Sequence, residues 1–270
     1  MVNRTRDSEG LIPLALQGAQ IFSGWSEKAR TRLAEAAELR EYAKGETVAE
    51  IEEPPDDILV LVRGALFNEI VAADGKRLLL AIVRPGWILQ VVPVWEGEDA
   101  PSAYTARTDS LVMHIPRDVF MEVANSDIQY VRDVATFACR IYRGGLLRMN
   151  LTAMTSLRCQ VASMLIFNTL GEFVVLLGLP PSPSTMAWRV GQTDITQDEL
   201  ASMIGYSRQK VNNVMKEMEA EGILQRKGRM TEILNYLSLM KVLEEAGPLN
   251  PDWHALAQSW QEQLDPRRTT

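Results

Sequence analysis

Two helix-start signals with a glycine between them constrain this chain more than any other stretch. Thr196 and Glu199 form a T-x-x-E capping box, in which a hydroxyl and a carboxylate each satisfy a backbone N–H that the first helical turn leaves unpaired. A helix therefore starts at Gln197, with Leu200, Met203 and Ile204 turned inward. Gly205 follows, and a residue without a Cβ permits the sharp turn that others resist. Ser207 then caps a second helix, which buries Val211, Val214, Met215 and Met218 and ends at Gly222. Two short helices joined by a glycine-containing turn make a helix-turn-helix.

The start of the second helix exposes Arg208, Gln209, Lys210, Asn212 and Asn213. These are the side-chain types that hydrogen-bond base edges and phosphates in a major groove. After Gly222, a strand over 223–225, a basic turn over Arg226, Lys227, Gly228 and Arg229, and a strand over 230–234 read as a wing. An ordinary helical hairpin would explain the two helices alone. It would not explain the polar face and the basic wing together, so a winged helix-turn-helix over about residues 190–236 is expected to bind double-stranded DNA, with Thr196, Ser207, Lys227 and Arg229 joining the contact set. The whole chain carries a net charge of −7, yet between Gly205 and Met230 six Lys or Arg oppose three Glu, a local net of +3. Phosphate contacts depend on where cations sit, not on the total.

The N-terminal half has a different rhythm. Ser26 caps an amphipathic helix to Leu39, with Ala29, Leu33, Ala36 and Ala37 on one side. An apolar run from Ile58 to Val62, a second from Ala65 to Val71 and a third from Leu78 to Val83 are separated by Gly64 and by Asp74–Gly75, and Gly86 ends the last. Short strands continuing to about Ile115 predict an antiparallel β-roll. A short helix over 118–124 and a long one capped by Asn125 or Ser126 follow, the latter running to about Leu151. In it Ile128, Val131, Ala135, Ala138, Tyr142, Gly145 and Met149 alternate at spacings of three and four. That is a seam of three heptads, which a lone surface helix does not need. It reads as a dimer interface, the other reading being burial within a single chain. Val134, Phe137 and Ile141 form a second stripe suited to packing on the β-roll. Another helix spans about 156–170, residues 178–185 form a Pro- and Ser-rich linker, and Trp253, Leu256, Trp260 and Leu264 recur at helical spacing in the tail.

The expected organisation is α+β: an extension over 1–20, a β-roll over 21–125, a dimerisation helix and its successor over 126–172, the winged helix-turn-helix over 173–240 and a helical tail over 241–270. The tail either docks on its own chain or offers a partner site. With 270 residues, no apolar segment long enough to span a membrane and only Cys139 and Cys159 as thiols, the chain reads as a cytoplasmic protein without disulfides.

This order of elements, with Ile195 to Ala201 and Ile204 to Arg208 as they stand, resembles the Crp/Fnr regulators. Lys44–Gly45–Glu46, Gly64, Gly75 and Gly86 are similar to that family's β-roll glycines. The resemblance implies a homodimeric transcription regulator in which Arg208 reads a guanine and RNA polymerase is a further partner. Gln209 and Asn213 stand where the family's cyclic-AMP receptor has Glu and Arg, so a different half-site is implied.

Cyclic-nucleotide members of the family carry a Gly-Glu pair and then an Arg followed by Ser or Thr, for ribose and cyclic phosphate. Here Leu89–Gln90 occupies the first pair and Ala100–Pro101, or Pro101–Ser102, the second, and no Arg occurs between Trp87 and Ala106. A buried phosphate without a cationic partner is expensive. Some effector other than a cyclic nucleotide is therefore expected, at Leu89, Gln90, Val92 and Arg143, with Val91, Pro93 and Trp95 making the segment apolar. The alternative is an effector-independent regulator whose β-roll is a scaffold or a protein-binding surface. Gly144–Gly145 in the long helix either eases bending or permits close helix packing. Neither a cofactor nor a metal is expected: two cysteines twenty residues apart cannot supply four thiolates for an iron–sulfur cluster, and His114, on a strand, reads as a structural histidine. A metal-dependent β-barrel enzyme would need clustered His and carboxylate ligands that the sequence lacks, so no enzyme is expected.

Overall fold

The computed structural model describes residues 3–5, 10–19, 21–51, 54–71, 77–170 and 192–244. They form two compact units, one running to Tyr142 and the other starting at Arg143. The turn expected at Asp74–Gly75, the linker over 178–185 and the tail beyond 244 lie outside the described residues.

The N-terminal unit starts with β1 (Asn3–Thr5) and α1 (Leu11–Gly18). Within the extension expected over 1–20, residues 3–5 and 11–18 thus form regular elements. β1 pairs antiparallel with β2 (Glu38–Tyr42), and α1 buries Ile12 and Leu16. Two buried positions four residues apart are too short a run to register as periodicity. Next, α2 (Glu27–Ala36) starts on Ser26, whose hydroxyl accepts the Ala29 N–H at 3.2 Å. It stops at Ala36, and Leu39, expected in the helix, is a buried residue of β2.

The strands β3 (Thr47–Ala49), β4 (Asp57–Arg63), β5 (Leu66–Val71), β6 (Arg77–Val83), β7 (Ile88–Leu89), β8 (Ala103–Ala106) and β9 (Ser110–Pro116) complete two antiparallel sheets. Their orders are β1-β2-β9-β4-β7 and β3-β8-β5-β6. Ile58 to Leu61 and Leu111 to Ile115 are buried on both faces, because α1, α2 and α4 (Arg117–Ala124) pack against β4 and β9. A strand covered on both sides reads as a continuous apolar run, which is what the sequence displays. Gly64, at φ +95°, joins β4 to β5; a Cβ there would collide with the Ser110 hydroxyl and lie 2.6 Å from the Asp109 carbonyl. One expected strand region is instead a helix: α3 (Val91–Glu96) interrupts the sheet. Pro93 sits in its first turn, where its missing N–H costs nothing.

From Ile128 to Met154 runs α5, unbroken through Gly144–Gly145 and capped by Asp127, whose carboxylate accepts the Gln129 N–H at 2.8 Å. Asn125 and Ser126, the expected caps, instead donate their side-chain hydrogens to carbonyls of α4. Val134 and Phe137 are buried, as the second stripe requires, while Ile141 is 40% exposed. An aromatic group holds this first part of α5 to its own unit. Trp25 stacks on Tyr130 with ring centres 4.5 Å apart, Phe22 and Phe120 close the group, and the Tyr130 hydroxyl accepts the Ser26 N–H at 3.0 Å.

In the C-terminal unit α6 (Leu157–Leu170) packs on three helices, α7 (Gln197–Ile204), α8 (Arg208–Ala220) and α9 (Tyr236–Leu243). A boundary at 173 would therefore cut α6 from the helices it packs on. A three-stranded antiparallel sheet in the order β10 (Gln192–Thr193), β12 (Met230–Ile233), β11 (Leu224–Lys227) completes the unit. No helix among the described residues is long and apolar enough to cross a membrane.

His114 lies in the middle of the larger sheet with both ring nitrogens engaged. Nδ1 is 2.9 Å from Asp57 Oδ2 and Nε2 is 3.0 Å from the Tyr42 hydroxyl, with Arg40 Nη1 3.4 Å from the same Asp57 oxygen. Burial holds His114 below its ordinary value of 6.5, so it is neutral, donating to Asp57 and accepting from Tyr42. Burial also pushes Asp57 up, but the bond from His114 and the Arg40 guanidinium outweigh it and hold the carboxyl low. Both groups bind a proton more readily in the unfolded chain, so both contributions to stability are present above the unfolded values and are lost as pH falls. The melting temperature is expected to hold above pH 7 and to decline below about 6.5. In His114→Gln the decline should start only in the carboxylate range; an unchanged profile in that variant would refute the assignment.

Candidate nucleic-acid interface

The helix-turn-helix is assembled by the local chemistry that its sequence announces. Thr196 Oγ1 accepts the Glu199 N–H at 3.2 Å and Glu199 Oε2 accepts the Thr196 N–H at 2.7 Å, closing the capping box. Gly205 ends α7 at φ +80°. Ser207 Oγ accepts the Lys210 N–H at 3.4 Å and starts α8. Inward, Leu200, Met203, Ile204, Val211, Met215 and Met218 are buried, and Val214 is half-buried.

Outward, Arg208, Gln209, Lys210 and Asn213 are all exposed in the first two turns of α8. Lys210 stands 5.6 Å from the Tyr206 ring. Asn212, expected beside them, is placed differently. It is half-buried, and its carboxamide oxygen accepts from Gln197 Nε2 at 3.0 Å and from Arg226 Nη1 at 2.9 Å. A residue one position from an exposed neighbour on a helix turns by about 100°, which carries Asn212 toward α7 and the wing. The wing is the β11–β12 hairpin, with Lys227 opposite Met230 and with Gly228 and Arg229 at its tip, and both Lys227 and Arg229 are exposed.

The charges around this face are arranged in pairs. Arg208 Nη1 lies 3.3 Å from Asp198 Oδ2, each side chain 66% exposed. Lys227 Nζ donates to Glu232 at 2.9 Å, and that bond holds the Glu232 carboxyl below the usual range. Arg226 pairs with Glu219 and Arg158 with Glu221, in each case at 2.6 Å, and these bonds hold both carboxyls low. A count confined to Gly205–Met230 misses Asp198 and Glu232, which face two of its six cations from outside that window.

The remaining expected site residues are spread over both units. On α5, Ile128 is 66%, Tyr142 67% and Met149 64% exposed, with Ala135 and Gly145 also exposed and Val131 and Ala138 half-buried. Among the described residues nothing lies within 4 Å of a Cβ built on Gly145, so close packing among them does not explain that glycine. Leu89 is buried at the end of β7, Gln90 caps α3 in a left-handed conformation at φ 64°, and Val92 is half-buried. Arg143 is exposed on the part of α5 that belongs to the C-terminal unit. The apolar segment expected around an effector is largely core: Val91 is 2% and Val94 0% exposed, and Pro93 is buried. Arg84, just upstream, is a buried cation engaged within the protein.

Comparison with known proteins agrees with this architecture in both halves. A family model described as a cyclic nucleotide-binding domain matches residues 39–127, and one described as a Crp-like helix-turn-helix domain matches residues 175–242. A CRP-like cAMP-activated global transcriptional regulator of Mycobacterium tuberculosis is 24% identical over 218 residues, 79% of this chain and 92% of that protein. The chain belongs to the Crp/Fnr family. It is a DNA-binding transcription regulator with a cyclic-nucleotide-binding-type domain. The fold is shared with FixK2 of Bradyrhizobium japonicum, at a TM-score of 0.64 and 20% identity over 76% of this chain and 96% of that one. It is also shared with the c-di-GMP responsive global regulator CLP of Xanthomonas campestris, at 0.58 and 15% over 77% and 99%.

The turn between α7 and α8 yields a test. A Cβ on Gly205 meets open space, so the cost of Gly205→Ala is that of the left-handed backbone alone, about 1–2 kcal/mol. Thr196→Ala removes one half of the capping box and should cost about 1 kcal/mol. Urea unfolding followed through the C-terminal unit checks both. A Gly205→Ala variant as stable as the unmodified chain would contradict the turn geometry.

Proposed function

We propose that this Crp/Fnr regulator acts as a homodimer on an inverted repeat, inserting α8 of each subunit into the major groove of successive half-sites. The observation that carries this is the pairing of two unspent surfaces: the apolar seam of α5, led by Ile128, Tyr142 and Met149, and the polar start of α8, with Arg208, Gln209, Lys210 and Asn213. An exposed heptad stripe is costly in water, and a second copy of the same helix covers it. One recognition helix per subunit then places half-sites about one helical turn, roughly 34 Å, apart. In this reading Arg208 contacts a guanine, Gln209 and Asn213 read neighbouring bases, and Lys227 and Arg229 bind phosphates. Contact with RNA polymerase belongs to the same reading.

The effector is inferred to be something other than a cyclic nucleotide. The cassette positions hold Leu89–Gln90 and Ala100–Pro101–Ser102, which supply neither the acid for a ribose nor the cation for a phosphate. An uncharged small molecule near Leu89, Gln90 and Val92 is the proposed alternative; Arg143, expected beside them, belongs to the other unit. The burial of Val91, Pro93 and Val94 favours a second reading, in which the β-roll is an effector-independent scaffold. Calorimetry with cyclic AMP and cyclic GMP should show no binding at millimolar ligand, and binding of either at micromolar levels would overturn this inference.

The DNA-reading roles are tested by selecting duplexes from a random pool and measuring sedimentation alongside. A dimer and a palindromic consensus are expected. Arg208→Ala should cost about 1–3 kcal/mol and relax preference at one base pair per half-site, whereas Lys227→Ala should weaken all sequences alike and flatten the salt dependence. A monomer at micromolar concentration whose DNA affinity is unchanged on dilution would refute the dimeric reading, and a uniform loss in Arg208→Ala would refute the role given to Arg208.

A further inference from the structure

Arg226, a cation of the wing that the contact set leaves out, is bonded extensively within the protein. Arg226 makes four hydrogen bonds within the protein. Its backbone N–H donates to Glu219 Oε1 at 2.9 Å, Nε and Nη2 donate to Glu219 Oε2 at 2.9 and 2.6 Å, and Nη1 donates to Asn212 Oδ1 at 2.9 Å. The Asn212 oxygen also accepts from Gln197 at 3.0 Å. The side chains of Arg226 and Glu219 are 23% and 33% exposed, against 64% for Lys227 beside them. The arrangement joins α7 through Gln197, α8 through Asn212 and Glu219, and the wing through Arg226. Thr231, opposite Arg226 in the hairpin, is buried, so the wing is also fixed from beneath.

We infer that Arg226 and Glu219 are a positioning pair for DNA recognition, a strut that sets the wing against the recognition helix, and that Arg226 does not serve as a phosphate contact. A guanidinium has a rigid fork of donors, and here three of its five N–H groups are committed: Nε and Nη2 each donate to a carboxylate oxygen, and Nη1 donates to a carboxamide oxygen that also accepts from Gln197. Turning that fork toward a phosphate would strip Glu219 of its partner and release Asn212. Lysine has the charge but not the fork, and cannot hold Glu219 and Asn212 at once. The strut matters because base readout tolerates little displacement. A wing gripping phosphates at the wrong angle would pull α8 out of register with the base edges, while the phosphate contacts themselves adapt.

The inference rests on the sequence-specific reading proposed above, and the experiment separates the two. The probes are a duplex selected from a random pool by the unmodified chain and a scrambled duplex of the same length. For each variant, two quantities are read: the ratio of affinities for the two duplexes, and the salt slope on the scrambled one. Arg226→Lys and Glu219→Gln should each lower the ratio by roughly tenfold, about the effect of one mismatched base pair, while the slope on scrambled DNA is kept. Lys227→Ala should keep the ratio and flatten the slope by about one phosphate contact per chain. Full retention of the ratio in Arg226→Lys would make Arg226 an ordinary cation and overturn the inference. So would a Glu219→Gln variant that binds both duplexes more tightly by the same factor, because Glu219 would then be only an offsetting charge. Should Arg226→Lys fail to fold, as shown by its thermal melt, Glu219→Gln decides alone. An unmodified chain without preference for any selected duplex would overturn the sequence-specific reading itself.

Discussion

The rotation of α5 about its own axis is the constraint on which the rest of the molecule depends, and an aromatic stack sets it. Trp25 lies flat on Tyr130, Phe120 and Phe22 enclose them, and Tyr130 accepts a hydrogen bond from the chain just before α2. Aromatic groups of this kind bury large areas and tolerate few geometries. With Tyr130 fixed, Val134 and Phe137 fall one and two turns further along the same face and are buried. The opposite face, with Ile128, Tyr142 and Met149, is then left over by geometry. A helix of 27 residues with one face committed and the other apolar and exposed is an incomplete structure in water.

What was legible in the sequence is what local chemistry decides. The capping box at Thr196 and Glu199, the caps at Ser26 and Ser207, the turn at Gly205 and the buried faces of α7 and α8 each depend on residues within a few positions of one another. The strands of the β-roll were visible because β4 and β9 are covered on both faces and so display unbroken apolar runs. The misses have a common cause as well. α1 is held by β4 and α2 rather than by its own pattern, and α3 hides in an apolar run with a proline in its first turn. Asn212 has the composition of a base-reading residue and the position of an internal one. Its partners Gln197 and Arg226 lie 15 residues before it and 14 after it, and only the folded unit brings them together.

The ion pairs around α8 show how a chain with a net charge of −7 can present a DNA-facing surface at all. Its cations there are not simply displayed. Arg208 rests on Asp198, Lys227 on Glu232, and Arg226 on Glu219. In the first two pairs the cation is exposed, so each contributes little to stability and is readily exchanged. The third is partly buried and is bonded through three elements, so exchange would cost more than the pair alone. One carboxylate partner thus marks a cation that is available, and a guanidinium bonded to partners at two positions of α8 marks one that is held in place.

That distinction bears on how specificity arises. Non-specific affinity for DNA grows with the number of cations that release counterions on meeting phosphates. A carboxylate beside each of Arg208 and Lys227 opposes this sequence-independent term, because a phosphate must displace an anion already in place. A base edge is different: in the proposed reading a guanine would offer Arg208 two aligned acceptors without a net charge, and Asp198 could stay nearby while it binds. The acidic surroundings therefore subtract more from indiscriminate binding than from base readout. In the proposed reading, an acidic regulator arranged this way would give up total affinity and keep the difference between the right sequence and all others, and that difference is the quantity a genome full of competing sites selects for.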